Sequence, residues 1–345
     1  MTGRGYLVTG GAGFIGANYV HRLLTRGERV VILDNLSRHG ASLNVEWLQA
    51  VFGKDRFTLV VGDLRDAEIV RTCAKDADVI VHLGGQVAVT TSMQDPRGDF
   101  EANALGTLNT LEAARSSGRD PIVIYASTNK VYGPLADVAV VEDTTRWRYQ
   151  ALPDGCAEHQ SLDFASPYGC SKGAGDQYVR DYARIYGLRT IVFRQSCIYG
   201  PRQFGIDGQG WLAWMMLTAL EGQRMKIYGD GKQTRDVLYV DDLLDAYDAA
   251  VSRIDDVAGQ VFNIGGGRDN VLAVWAEFGP MLEGMLGRPI AVEYGPWRPG
   301  DQRVFYADIT KARRELSWEP AVGLDTGVRR LFEWVKQHRV TMQWQ

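Results

Sequence analysis

What the chain lacks narrows its function before any motif is considered. Among its 345 residues there are only four cysteines, Cys73, Cys156, Cys170 and Cys197, with no CxxC pair and no metal-like spacing. A disulfide framework and a cysteine-bound metal are not expected from such a pattern; reduced thiols in a cytoplasmic protein are, and no metal ligand set is assigned. No apolar run reaches the ~18 residues of a membrane span. The first residues run straight into a strand-like Tyr6-Leu7-Val8 with no charged leader, so neither export nor a membrane partner is expected. Charge of one sign is not concentrated either. Thirty-eight Lys and Arg stand against 42 Asp and Glu, for a formal charge of −4, and the densest basic cluster is the short one at Arg313-Arg314. Nucleic acid and other polyanions are therefore not expected partners. Repeats and low-complexity tracts are absent as well.

What is present is a chain with 45% apolar residues, long enough for about two domains. Short β-branched runs occur at Tyr6–Thr9, Val30–Leu33, Phe57–Val61, Val79–His82 and Ile122–Tyr125, with amphipathic stretches such as Ile15–Thr25 and Leu105–Arg115 between them. Near-continuous apolar runs are the mark of parallel strands covered by helices on both faces. Their alternation with helical patterns predicts an α/β fold with a doubly wound parallel sheet. The second half is less regular. Residues 135–165 form a polar segment with Pro153 and Gly155, long enough to predict a lid or binding loop. After Ile191–Arg194 come Gly208-Gln209-Gly210 and a Trp-rich helix, Trp211–Leu220. A final helix places Leu324, Val328, Leu331, Phe332 and Val335 on one face. The expected organisation is a first domain over 1–194, with an insertion near 135–165 and a contribution from roughly 235–265. A smaller, discontinuous mixed α/β lobe takes most of 195–345.

The first βα junction reads Thr9-Gly10-Gly11-Ala12-Gly13-Phe14-Ile15-Gly16, with glycines at Gly10, Gly13 and Gly16. Glycine permits a tight turn and close approach of backbone to a pyrophosphate, whose charge is favoured at a helix N-terminus. Strand, turn and helix all lie where such a cradle needs them. Asp34 ends the second strand, 18 residues beyond Gly16, where a carboxylate accepts from an adenosine ribose and repels a 2′-phosphate. NAD is therefore expected over NADP, with Arg38 near enough to bear on that choice. Asp63, after the third strand, is a candidate for the adenine, or alternatively a helix cap.

Tyr168 and Lys172 are four apart, and on a helix i and i+4 share a face. A free phenol titrates near 10, so it needs help to act as a base at neutral pH. A neighbouring ammonium and a cationic nicotinamide both favour the phenolate. The hydroxyl pair Ser127-Thr128 ends the fifth strand, where it can hold a substrate oxygen beside Tyr168.

On these landmarks the chain resembles the extended short-chain dehydrogenase/reductase family, the nucleotide-sugar epimerases and dehydratases. The resemblance is carried by Thr9–Gly16, Asp34-Asn35-Leu36-Ser37, Asp63-Leu64, His82-Leu83, Asn103–Thr107, Val131-Tyr132-Gly133, Tyr168/Lys172 and Arg235-Asp236-Val237. It implies a Rossmann-type N-terminal domain holding NAD, a nucleoside-diphosphate sugar as substrate in the C-terminal lobe, and Tyr168 as acid/base with Thr128 and Lys172. The cofactor residues it implies are Gly10, Gly13, Phe14, Ile15, Gly16, Asp34, Asn35, Ser37, Arg38, Asp63, Leu64, Leu83, Gly84, Gln86, Asn103 and Ser127, with Tyr168 and Lys172. Within the family, His82–Ser92, Ser127–Gly133, Leu162–Phe164, Ser166–Lys172, Arg202-Gln203-Phe204, Gln209-Gly210-Trp211 and Asp301–Phe305 are similar to the CDP-paratose 2-epimerase group. That likeness implies a CDP-hexose inverted at C2, with Gln86, Thr128, Asn129, Arg202 and Gln209 toward the substrate and Arg235, Arg298 and Arg303 on its pyrophosphate. For the arginines the alternative is a surface salt bridge. For Trp211 and Trp214, stacking on the base competes with core packing. The chain departs from the group at Gly84, Gln195, Cys197 and Pro201, which border the implied substrate site. Asn129-Lys130 after Thr128 argues against a dehydratase, whereas a C4-epimerase needs the same machinery. A non-catalytic dinucleotide sensor is the reading from another class. The family resemblance also implies a homodimer or homotetramer paired through helices at Asn103–Arg115 and Ser171–Ile185.

Overall fold

The runs of β-branched residues become strands because both faces of each are covered. They are β1 (Gly5–Thr9), β2 (Arg29–Asp34), β3 (Thr58–Val61), β4 (Val79–His82) and β5 (Ile122–Thr128). In the computed structural model, which describes residues 3–206, 208–298 and 301–342, they join Thr190–Gln195 and Gln260–Ile264 in one seven-stranded sheet. Its order is Gln260–Ile264, Thr190–Gln195, β5, β4, β1, β2, β3. β1 pairs in parallel with β2 on one side (Val8 opposite Ile32) and with β4 on the other (Val8 opposite Val81). The strand order therefore reverses between β1 and β4, and the crevice at the carboxyl ends of these strands is where an open α/β sheet takes its ligand.

The chain divides into two compact units, each built from three stretches. The first comprises Met1–Val131, Ser166–Arg194 and Leu244–Phe262. On one face of its sheet Leu7, Ile80, Val123 and Val192 pack with Val70, Leu111, Val179 and Tyr182. Helix α1 (Phe14–Thr25) buries Tyr19, Val20, Leu23 and Leu24. Tyr19 meets Tyr247 edge-on with ring centroids 5.3 Å apart, and Phe193 stacks on Tyr247 at 5.6 Å.

The second unit comprises Tyr132–Ala165, Gln195–Leu243 and Asn263–Gln345. Its central strand, Thr234–Tyr239, pairs with Val271–Ala273, Val304–Phe305 and Cys197–Tyr199. The segment 135–165, expected inside the first domain's span, falls in this unit and is not a free loop. It forms a hairpin of Val140–Glu142 with Trp147–Tyr149, and Cys156 bridges to Ala307. Residues 235–243 also belong here, so the return to the first unit comes at Leu244 rather than near 235. The Trp-rich helix spans Trp211–Leu220, and Trp211 meets Phe278 edge-on at 5.4 Å, which gives it a packing role. The final helix, Leu324–Met342, buries Val328, Leu331, Phe332 and Val335, together with Trp334.

β5 runs to Thr128, so Ser127 and Thr128 end the fifth strand as expected. One element differs from the periodic reading. The expected helix over 105–115 is preceded by a π-helical turn, Glu101–Leu105, before the regular helix Gly106–Ser116. Such a turn displaces side chains from the ordinary spacing and is common at functional sites. Among the described residues no helix is long and apolar enough to cross a membrane, and no cluster of three His, Cys, Asp or Glu is placed to hold a metal.

Candidate functional site

The glycines of the first turn do different things. Gly10 has φ 66°, and a Cβ there would lie 2.7 Å from the Gly84 nitrogen, so the loop rests directly on the Leu83-Gly84 backbone. A Cβ at Gly16 would collide with the Gly10 carbonyl, so this glycine lets helix and loop pack together. At Gly13 a Cβ would meet only the Gly10 oxygen, at 3.2 Å, and would otherwise fill open space. Gly13 is also the N-cap of α1, with no side-chain cap and no acid in the first turn. The first N–H groups of the helix, at Phe14 and Ile15, are thus left for an external anion. This cradle fits the pyrophosphate of a dinucleotide.

Asp34 braces the loop, accepting from the Ala12 N–H at 3.0 Å and the Leu36 N–H at 2.8 Å. Burial pushes its carboxyl up, while these N–H groups and Arg38 pull the other way. Asn35 accepts from the Ser37 hydroxyl at 2.7 Å and donates to Asp63 at 3.1 Å. Asp63 is gripped by the Arg65 fork at 2.9 and 2.8 Å, which holds its carboxyl well below the usual range. The helix cap alternative for Asp63 does not hold for Ala67–Ala74, because Asp66 occupies that position. Leu64 packs beneath Gly84, and its carbonyl accepts from Asn109 at 2.8 Å.

Tyr168, Lys172 and Thr128 come together and are all buried. Thr128 hydrogen-bonds the Tyr168 phenol, and its Oγ1 also lies 3.3 Å from both Asn129 Oδ1 and the Lys130 N–H. Burial pushes Tyr168 up to about 12; Asp99 adds to that rise, and Thr128 and Arg38 oppose it. Burial likewise lowers Lys172 to about 7, against the pull of Asp176 and Asp99. The Lys172 ammonium sits 4.3 Å from the centroid of the Tyr125 ring. The groups that favour the Tyr168 phenolate are thus Thr128 and Arg38 rather than the expected ammonium, and desolvation outweighs them. His82, between Thr9 at 2.7 Å and Thr107 at 3.1 Å, is fully enclosed, and burial lowers it to about 3, so it is neutral.

Other candidates have their polar atoms turned elsewhere. Ser127 donates to Asp176 at 2.8 Å, away from its neighbour Thr128, and Asp176 is gripped by the Arg194 fork at 2.9 and 3.1 Å. Gln86 donates to the Ala88 carbonyl at 2.7 Å and to Asp99 at 2.9 Å, and accepts from the Ala88 N–H. Asn103 donates to Asp99 and to Ser171, leaving its buried Oδ1 without a partner. Asp99, Asp176 and Arg194 were not picked out from the sequence. Asp176 lies one turn beyond Lys172, which was the available signal.

In the second unit Arg235 is buried, donating to Asp301 at 2.8 Å and to the Gln302 carbonyl at 2.7 Å, so its partner is an internal carboxylate. Arg298 lies 3.9 Å over the Tyr228 ring. Arg303 lies 4.7 Å from the Trp147 ring and 5.5 Å from that of Trp297. A guanidinium stacks on an aromatic face as a planar, delocalised cation. Arg202 is half-buried with φ 68°, and Gln209 exchanges backbone hydrogen bonds with Ile206.

A glycine cradle at the switch point of a parallel sheet, with a buried Tyr-Lys pair and a Thr hydroxyl beside it, defines the class: an extended short-chain dehydrogenase/reductase. Residues 7–331 match the family described as GDP-mannose 4,6 dehydratase, and the chain belongs to it. It is 43% identical to the CDP-paratose 2-epimerase of Salmonella typhi, over 95% of this chain and 98% of that one. It is 36% identical to the UDP-glucose 4-epimerase of Mycolicibacterium smegmatis, over 96% and 98% of the two chains. The crystal structure of UDP-glucuronic acid 4-epimerase from Bacillus cereus, in complex with UDP-glucuronic acid and NAD, superposes with a TM-score of 0.82 at 28% identity, covering 96% of this chain and 99% of that one.

Proposed function

We propose that the protein is an NAD-dependent epimerase of a nucleoside-diphosphate sugar that inverts C2 of a CDP-hexose of the paratose/tyvelose type. The observation that carries the C2 reading is the 43% identity to a CDP-paratose 2-epimerase, which extends over 95% of the chain rather than over the dinucleotide half alone. The chain is an isomerase, and NAD is its cofactor. Held at the Gly10–Gly16 cradle, with Asp34 toward the adenosine ribose, NAD supplies a hydride acceptor and donor, so the sugar is oxidised and reduced within one cycle without net redox change.

The residues of the chain manage the proton. Tyr168 Oη takes it from the sugar hydroxyl as the carbon is oxidised and returns it when the other face is reduced. Thr128, already bonded to the phenol, holds the same oxygen. Lys172 tunes Tyr168 and orients the nicotinamide ribose. Arg298 and Arg303 serve the pyrophosphate, as guanidinium donors suited to phosphate oxygens, while Arg235 is closed on Asp301. Tyr178, Ile185 and Tyr186, exposed on helix Ser166–Tyr186, are in keeping with a homodimer or homotetramer.

The test is proton NMR of purified protein, without added cofactor, incubated with CDP-, UDP-, GDP- and dTDP-hexoses. The expected result is a C2-inverted CDP-sugar with no net NADH. Inversion at C4 instead, the reaction named for the 36% identical relative, overturns the C2 reading and keeps the epimerase. Silence across the panel, in protein shown to carry NAD, overturns the CDP-hexose reading in favour of an unusual sugar or a non-catalytic sensor.

A further inference from the structure

Asp99 is a carboxylate only 1% exposed, on a short helix (Pro96–Phe100) that the sequence does not mark out. Its donors are all neutral. Oδ1 accepts from Gln86 Nε2 at 2.9 Å and from Asn103 Nδ2 at 3.2 Å, and Oδ2 accepts from the Ser171 hydroxyl at 2.6 Å. Those three residues lie on the segment after β4, on the π-helical turn and on the Tyr168 helix. Asp99 thus joins three elements around the reacting groups.

The other charges nearby are accounted for. Asp176, on the same helix as Lys172, is closed against Arg194 with both side chains buried. His82, on β4, is neutral, and Tyr125, on β5, offers Lys172 only a ring face. Asp95, at the start of the Asp99 helix, caps the Gly98 N–H, and Arg38, after β2, acts on Asp34 and Tyr168. No Lys or Arg among the described residues makes an ion pair with Asp99. Lys172 feels both buried carboxylates, Asp176 more than Asp99, but of the two only Asp99 also acts on Tyr168, and only Asp176 has an arginine of its own.

We propose that Asp99 is the positioning residue of this site: it ties the Gln86 segment to the helix bearing Tyr168 and Lys172, and its charge compensates that of Lys172. The proposal deepens the epimerase reading and rests on it for its kinetic consequence. Burial raises the Asp99 carboxyl, whereas Ser171, Gln86 and Lys172 favour its charged form. Its negative charge in turn makes proton loss harder for both Lys172 and Tyr168.

Asp99→Asn keeps the shape and removes the charge, so both groups should lose protons more readily. The expected result is a shift of both limbs of the pH–rate profile to lower pH, by about 0.5–1 unit. Ser171→Ala removes the hydrogen bond that most favours the charged form of Asp99, and should move both limbs the same way by less. The direct readout is the Cε resonance of Lys172 in protein labelled with [ε-13C]lysine, assigned by its absence in Lys172→Met. Its titration should fall in Asp99→Asn and, by less, in Ser171→Ala. An unmoved Lys172 titration in folded Asp99→Asn overturns the proposal, as does a loss of rate with unshifted limbs. If Asp99→Asn does not fold, the direction of the Ser171→Ala shift decides by itself. The titration needs no turnover, so a failure of the epimerase reading leaves this result standing.

Discussion

Tyr168 keeps its phenol in surroundings that work against ionisation. Burial moves it up to about 12 and moves Lys172 down to about 7, the same desolvation acting on an acid and on a base. At neutral pH the protein alone therefore holds Tyr168 protonated and Lys172 about half charged. Proton removal by Tyr168 gains as pH rises, so turnover should climb along the acid side of the profile. Tyr168→Phe keeps the ring and removes the proton carrier. Its kcat per NAD-loaded site should fall by about 10²–10⁴-fold, the usual worth of general acid/base catalysis. Stopped-flow or NMR turnover on cofactor-loaded protein checks this, and activity within tenfold of the parent would remove Tyr168 from its role. At this scale the sequence is informative where chemistry follows local spacing, as for Tyr168 and Lys172 on one helical face. It is silent where a side chain's direction depends on a remote partner. Ser127 stands beside Thr128 in the chain, yet its hydroxyl is taken by Asp176, 49 residues away.

Elements were legible in proportion to how local their causes are. Val79–His82 reads directly as a strand because all of its residues are buried. The hairpin Val140–Glu142/Trp147–Tyr149 does not, because it is short and held by tertiary partners: the Trp147 N–H donates to Lys232 and its indole to Asp230. The glycine turn is the clearest local case, and its glycines should separate in experiment. Gly13→Ala adds a methyl whose one close neighbour is the Gly10 carbonyl, at 3.2 Å, so it should cost at most about 1 kcal/mol of stability. NAD retention should nevertheless drop by roughly tenfold or more, since each tenfold needs only ~1.4 kcal/mol of lost contact. Gly16→Ala drives a Cβ into the Gly10 carbonyl and should cost about 1–3 kcal/mol of stability as well. Thermal melts with and without NAD, beside cofactor content after purification, distinguish the two. Equal losses of stability would mean that Gly13 is structural too.

At the scale of the whole molecule, the chain passes between its two units at five points, after residues 131, 165, 194, 243 and 262. A boundary at 194 is natural from the sequence, because six sheet strands precede it. The seventh strand and its helix arrive from beyond Leu244, and nothing before residue 194 announces them. Leu244, Tyr247, Val251, Ile254, Val257 and Phe262 are all buried, and Phe193 and Tyr19 pack against Tyr247. Arg22 also reaches Asp245 and Asp248, at 2.5 and 3.0 Å. At about 1.5–3 kcal/mol for each large side chain removed from water, losing that stretch takes away roughly 10 kcal/mol. That equals the whole stability of an ordinary domain, ~5–15 kcal/mol. A fragment of residues 1–194 keeps the glycine cradle, Thr128, Tyr168 and Lys172, yet should show no cooperative urea transition and no NAD retention. The exposed Phe193 and Tyr19 faces should instead make it aggregate. A fragment that melts cooperatively and retains NAD would show that the sheet is complete without Gln260–Ile264, and the contribution expected from roughly 235–265 would be dispensable.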